Sequence, residues 1–178
     1  APFLATYLSD RHVILIYVFD YSWQLRSPQQ QQILARLSAF RGGFDRASAS
    51  TIAQSNLSDL SMLIAHSLVQ RLAAGRYDLH PLVQEFAANK VMANEVSQLL
   101  GAHSRYYLAA LTERALPSLL PEFSNLRFAW QRAIELTESA DVVATLKQSV
   151  LLFGKFMLQF GTMADGHLLF QRAANHFE

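Results

Sequence analysis

His80 stands between an alternating stretch, Arg76-Tyr77-Asp78-Leu79, and Pro81, which suits the first position of a helix. Backbone N–H groups and the helix dipole make that position favourable for anions. The other histidines, His12, His66, His103, His167 and His176, show no i, i+4 pairing with acidic company. A zinc site needs a compact set of three or four ligands, so these residues read as surface or packing groups. The phosphate-cradling pattern G-x-x-x-x-G-K-[ST] is absent. The pair Gly154-Lys155 lies inside an expected helix and lacks the earlier glycine. Serine, histidine and aspartate occur, but no nucleophile elbow joins them. Glu122, Glu135, Glu138 and Asp141 read as helix-capping and solubilising groups, and Trp23 and Trp130 as core. The chain is therefore expected not to be an enzyme and to hold no metal of its own.

Composition bounds the rest. Half of the 178 residues are hydrophobic (51%) and only 16% are charged, against about 25% in an average globular chain. That is more apolar surface than one small piece is expected to bury alone. The net charge of +1 shows no basic excess of the kind nucleic-acid binders use to neutralise phosphates. With no cysteine there are no disulfides and no thiolate sites. The apolar run Val13–Phe19 is far short of the roughly 20 residues that cross a bilayer. The first residues, Ala-Pro-Phe-Leu, carry no signal-peptide pattern. The expected location is the cytoplasm, and the start reads as a cut within a longer chain.

The elements that position these residues follow from periodicity. Arg11–Leu25 reads as a buried helix. Ser27-Pro28 opens the next, with Ile33, Leu34, Leu37 and Phe40 on one face and Gly42-Gly43 at its end. Asp45 caps a short helix to about Gln54. Ser55 or Asn56 caps a third to about His66, with Leu57, Leu60, Leu63 and Ile64 inward. The period then becomes two: Ser67–Leu72 and Arg76–Leu79 read as strands around Ala73-Ala74-Gly75. Pro81 starts a helix carrying Leu82, Val83, Phe86, Ala87 and Val91. Three helices, a hairpin and a helix make the winged-helix layout. Helices follow at Leu99–Leu116, at Phe123–Thr137 after a turn between Pro117 and Pro121, at about Asp141–Phe160 with Asp141 as the cap, and at Ala164–Phe177. The expected fold is thus mainly α, a winged helix followed by α-helical hairpins. The expected division is 1–25, the end of a preceding helical subdomain; 26–95, the winged helix; and 96–178, a helical linker entering a repeat.

Two resemblances run along this frame. Val18-Phe19-Asp20-Tyr21-Ser22-Trp23, Ser27-Pro28, and Leu37-Ser38-Ala39-Phe40-Arg41-Gly42-Gly43-Phe44-Asp45 resemble the winged-helix region of bacterial STAND ATPases. These are NB-ARC-like signalling NTPases, many of them transcriptional regulators. Leu60, Leu63-Ile64, Ser67-Leu68-Val69, Arg76–Ala87, His103, Tyr106-Tyr107 and Asn125–Trp130 continue the likeness. Phe153-Gly154, Met157, Gly161, Gly166, Phe170 and Gln171-Arg172-Ala173 resemble one tetratricopeptide repeat, in which small residues let two helices approach and Phe170 fills the groove. Gly166 departs from that pattern, which usually has Ala.

The first resemblance implies a regulatory piece of a signalling ATPase, coupling the nucleotide state of an ATPase domain outside this chain to a helical-repeat sensor. ADP or ATP with Mg would belong to the parent, and none to this piece. The family's Met-His-Asp motif puts a histidine on the β-phosphate of ADP. Here Leu79-His80-Pro81 keeps the histidine and replaces the acid. The implied partners are the ATPase domain, further repeats of the same chain, and a protein or small-molecule signal on those repeats. The alternative is a DNA-binding winged-helix regulator domain with a helical dimerisation or effector tail. Arg71 and Arg76 of the hairpin would then be its phosphate contacts. The third helix, about Asn56–His66, carries Asp59 and no Lys or Arg, whereas major-groove readers present Arg, Lys, Asn or Gln. Nucleic acid is therefore not an expected partner, and neither is a membrane.

Overall fold

The computed structural model describes residues 17–136, 140–161 and 163–177. The chain is mainly helical, with one short hairpin. Residues 17–24 are helical. The helix expected from Arg11 thus starts outside the described residues, where His12 and Glu138 also lie.

Helix α1 (Pro28–Leu37), α2 (Arg46–Ala53) and α3 (Leu57–Ala65) each start with a reciprocal cap. The Ser27 hydroxyl accepts from the Gln30 N–H at 3.3 Å, and the Ser27 N–H donates back to Gln30 at 3.2 Å. Asp45 with Ser48 and Asn56 with Asp59 repeat the arrangement. Each box satisfies two amide donors that a helix start would otherwise leave open. The first helix ends before the glycines: Leu37 is its last residue, and Phe40 is buried from the turn beyond. Leu57 is exposed, contrary to the expected inward position, because α3 buries its Leu60 and Leu63 side.

The hairpin is shorter than its alternating pattern suggests. Strand β1 (Gln70–Arg71) pairs antiparallel with β2 (Tyr77–Asp78), with Arg71 opposite Tyr77. Ser67 to Val69 are not strand. Ser67 takes a left-handed conformation (φ 56°), and the N–H groups of Leu68 and Val69 both donate to the Leu63 carbonyl at the end of α3. Leu68 and Val69 are consequently both buried, which a strand with one solvated face would not allow. Tyr77 also exchanges two 2.8 Å backbone bonds with Phe44, an added bridge on the hairpin's other edge.

Helix α4 (Pro81–Ala88) follows, then α5 (Ala93–Glu113), α6 (Phe123–Glu135), α7 (Ala140–Phe160) and α8 (Met163–Phe177). A 3₁₀ stretch, Leu116–Glu122, occupies the expected proline turn. Asp141 lies in the first turn of α7 and is not its cap. At 21 residues α5 is about 31 Å long, and it packs against α2, α6 and α7. The core continues across residue 95: Leu37, Phe40, Phe44 and Leu60 join Tyr107, Leu111, Leu126 and Trp130 in one buried cluster. Phe19 and Trp23 of the 17–24 helix pack on Phe86, with ring centroids 6.0 and 5.9 Å away.

At the far end, Trp130 stacks on Phe153 (4.3 Å, 11° between planes), and Phe170 closes on both. The expected groove-filling by Phe170 is present. Close approach does not require glycine at Gly154 or Gly166, where an added methyl would sit 3.6 Å from Phe170 and 3.8 Å from Met157, both ordinary contacts; Gly161 is the tight position, where it would lie 2.7 Å from the Met157 carbonyl.

Candidate functional site

The three residues singled out in the sequence do not form one site. Arg71 is exposed on β1. His80 is exposed, and its Nδ1 accepts from the Leu82 N–H at 3.3 Å, so the imidazole caps α4 itself. That bond requires the tautomer with its proton on Nε2. Arg76 turns inward.

Arg76 meets Glu122 at the end of the 3₁₀ stretch. One guanidinium nitrogen, Nη1, donates to Glu122 Oε1; the other, Nη2, donates to Glu122 Oε2 at 3.2 Å and to the Pro121 carbonyl at 3.2 Å. Their side chains are only 16% and 6% exposed. The hydrogen bonds that Arg76 donates to Glu122 raise the Arg76 pKa, against the opposing effect of burial. A fork on a carboxylate is among the stronger charge-assisted contacts.

Asn125, fully buried, extends the joint. Its Nδ2 donates to the Gly43 carbonyl at 2.7 Å and to Glu122 Oε2 at 3.0 Å. Its Oδ1 accepts from the Arg41 N–H at 2.6 Å and lies 3.3 Å from His103 Nε2. Asn125 thus ties α6 to the chain reversal at 41–43, more than 80 residues earlier. Gly43 must be glycine there. Its φ is +85°, and an added Cβ would lie 2.9 Å from the Tyr77 carbonyl that Phe44 bonds.

The carbonyls at the end of α1 are served from the same side. Arg41 Nη1 donates to Ser38 O (2.7 Å) and Phe40 O (2.9 Å), and Gln84 of α4 donates to both as well. The Arg41 guanidinium lies 4.4 Å from the centre of the Phe128 ring. Burial pushes the Arg41 pKa down, with Arg132 contributing. His103, also fully buried, is held neutral: burial lowers its pKa to about 4, with a smaller contribution from Arg41, although Asn125 works the other way.

This arrangement can hold the hairpin, the 41–45 reversal and α6 together. Among the described residues no group of three or more His, Asp or Glu side chains could hold a metal ion. No described helix is long and apolar enough to cross a membrane.

Asn125, Gln84 and the Phe44–Tyr77 bridge were not among the residues expected to form a site. The available signal was Asn125 itself, a polar residue on the α6 face that also carries Leu126, Ala129 and Ala133.

No family model matches the chain, and no solved structure matches it. Three curated proteins are similar, each named "Putative HTH-type transcriptional regulator", one from Mycobacterium bovis and two from strains of Mycobacterium tuberculosis. Each is 27% identical over 165 residues, an alignment taking in 80% of this chain and 18% of the relative. The chain therefore spans about a fifth of the length of these relatives.

Proposed function

We propose that this chain is a coupling segment of a helix-turn-helix-type transcriptional regulator. Residues 26–95 are its winged helix, and residues 96–178 lead into a tetratricopeptide-type array with which it shares a core. The similarity to three proteins named as such regulators supports the regulator part of this reading. The observation that carries the coupling part is the placement of Arg76. One of the hairpin's two cationic side chains is committed to Glu122 within the chain, so the hairpin serves as a docking element.

A second reading, direct DNA contact by this module, has support in the relatives' name and in the exposure of Arg71. Against it stand the single free cation on the described hairpin and the acidic α3, whose first turn holds Asp59. Fluorescence anisotropy of a labelled duplex at low salt separates the two. Coupling predicts no binding by this chain. A shift that weakens steeply with added salt would show phosphate contacts and favour the DNA reader.

The nucleotide-switch version of coupling rests on the resemblance to STAND ATPases. The residues present do not fit a nucleotide by themselves: one exposed imidazole at a helix start, with no phosphate loop, is a single contact. With Nδ1 engaged by the α4 cap, only Nε2 of His80 is left to reach a phosphate in the parent. Unchanged ADP retention by a parent carrying His80→Ala would remove that version and leave the coupling reading in place.

A further inference from the structure

We propose that Arg76, Glu122 and Asn125 form a releasable latch, a conformational device within the coupling segment and resting on that reading. The latch joins three separate pieces of chain: the hairpin through Arg76, the 41–43 reversal through Arg41 N–H and Gly43 O, and the start of α6 through Glu122 and Asn125. Its members share partners, so the loss of one leaves a donor or acceptor of its neighbours unmet. The hairpin also takes its third edge from Phe44, next to Gly43, so the bridge and the latch share one anchor.

What makes the joint releasable is its chemistry. An apolar contact exposed to water loses its whole driving force. An arginine, a carboxylate and an amide regain hydration when they separate, which offsets most of the attraction lost. Two states close in free energy are the requirement for a switch. The hairpin adds to this asymmetry: β1 and β2 are two residues each, and Leu72 beside them is exposed. Tyr77, stacked on Phe44, and Leu68, Val69 and Leu79 stay in the core, so opening is confined to the side of the hairpin that carries Leu72 and Arg76. Opening would also return Arg76 to solvent beside Arg71.

The test is amide hydrogen exchange by mass spectrometry on the 178-residue chain, with Glu122→Gln as the variant. The substitution keeps shape and removes the charge that Arg76 bonds. The latch predicts exchange at least tenfold faster, by a common factor, in peptides covering 41–45, 70–79 and 116–125. Peptides from α3 and α7 should keep their wild-type rates. A uniform increase over the chain would make the cluster ordinary stabilising structure and overturn the proposal, as would an increase confined to 116–125. Arg76→Lys keeps the charge, loses the fork, and should give the same pattern at smaller size. A chain that folds with neither substitution also overturns it, because a latch is dispensable to the fold it closes. The anisotropy experiment above does not bear on this result: exchange reads the latch, and duplex binding reads what the hairpin contacts.

Discussion

At its start, helix α6 meets the hairpin through Arg76, Glu122 and Asn125; two turns later it meets α7 and α8 through Trp130, which stacks flat on Phe153 and takes Phe170 at an angle. The first joint is made of hydrogen bonds whose donors and acceptors must fall within a few tenths of an ångström. The second depends on area and shape, and leaves room for an extra methyl at Gly154. One helix thus carries a demanding joint and a tolerant one. The contrast teaches where movement belongs. Dispersion and apolar burial hold the Trp130 end, while the hairpin end adds to its buried Tyr77 a set of charges that water can also serve.

Substitutions at the two joints can break this contrast. Trp130→Ala removes the largest fully buried side chain and should cost about 4 kcal/mol of stability in urea unfolding. Trp130→Phe should recover more than half of that, since the stack on Phe153 survives. Asn125→Ala leaves the Gly43 carbonyl and the Arg41 N–H unpaired and should cost about 3 kcal/mol. Asn125→Asp, nearly the same shape, should cost as much, because it sets a second carboxylate against Glu122 Oε2. Recovery by Asp at 125, or none by Phe at 130, would erase the distinction.

The pH dependence sharpens it further. Folding lowers the His103 pKa from 6.5 to about 4. The unfolded chain then binds the proton first as pH falls. Stability from this group is complete above pH 6.5 and is lost progressively toward pH 4, by up to about 3 kcal/mol. Urea midpoints measured between pH 7 and pH 4 should show this fall, and His103→Gln should flatten it. The smallest effect belongs to the tolerant joint. Gly154→Ala should stabilise by roughly 0.5–1 kcal/mol through helix propensity, visible as a small rise in Tm; a loss would mean the helices are closer there than an ordinary contact.

Much of this architecture was legible in the sequence because it is local. Ser27-Pro28, Asp45 and Asn56 announce three helix starts within four residues each, and the capping boxes bear them out. The hairpin was legible through Arg76-Tyr77-Asp78-Leu79. Ser67-Leu68-Val69 misled because a left-handed residue after a helix can bury two successive side chains, which alternation does not anticipate. Phe40 carried helical spacing but belongs to the turn. The polar joint was not legible. Asn125 and Gly43 are 82 residues apart, and no local pattern says that a buried amide will find a distant carbonyl. Arg76 had the composition of a phosphate contact, and only the fold reveals that Glu122 holds it.

A double-mutant cycle of Arg76→Ala and Glu122→Ala measures that pair most directly. Unfolding free energies of the wild type, the two single variants and the double variant should give a coupling of at least about 1.5 kcal/mol that survives half-molar salt, as a largely buried fork requires. A coupling under about 0.5 kcal/mol, or one that vanishes with salt as an exposed pair does, would contradict it and return Arg76 to solvent.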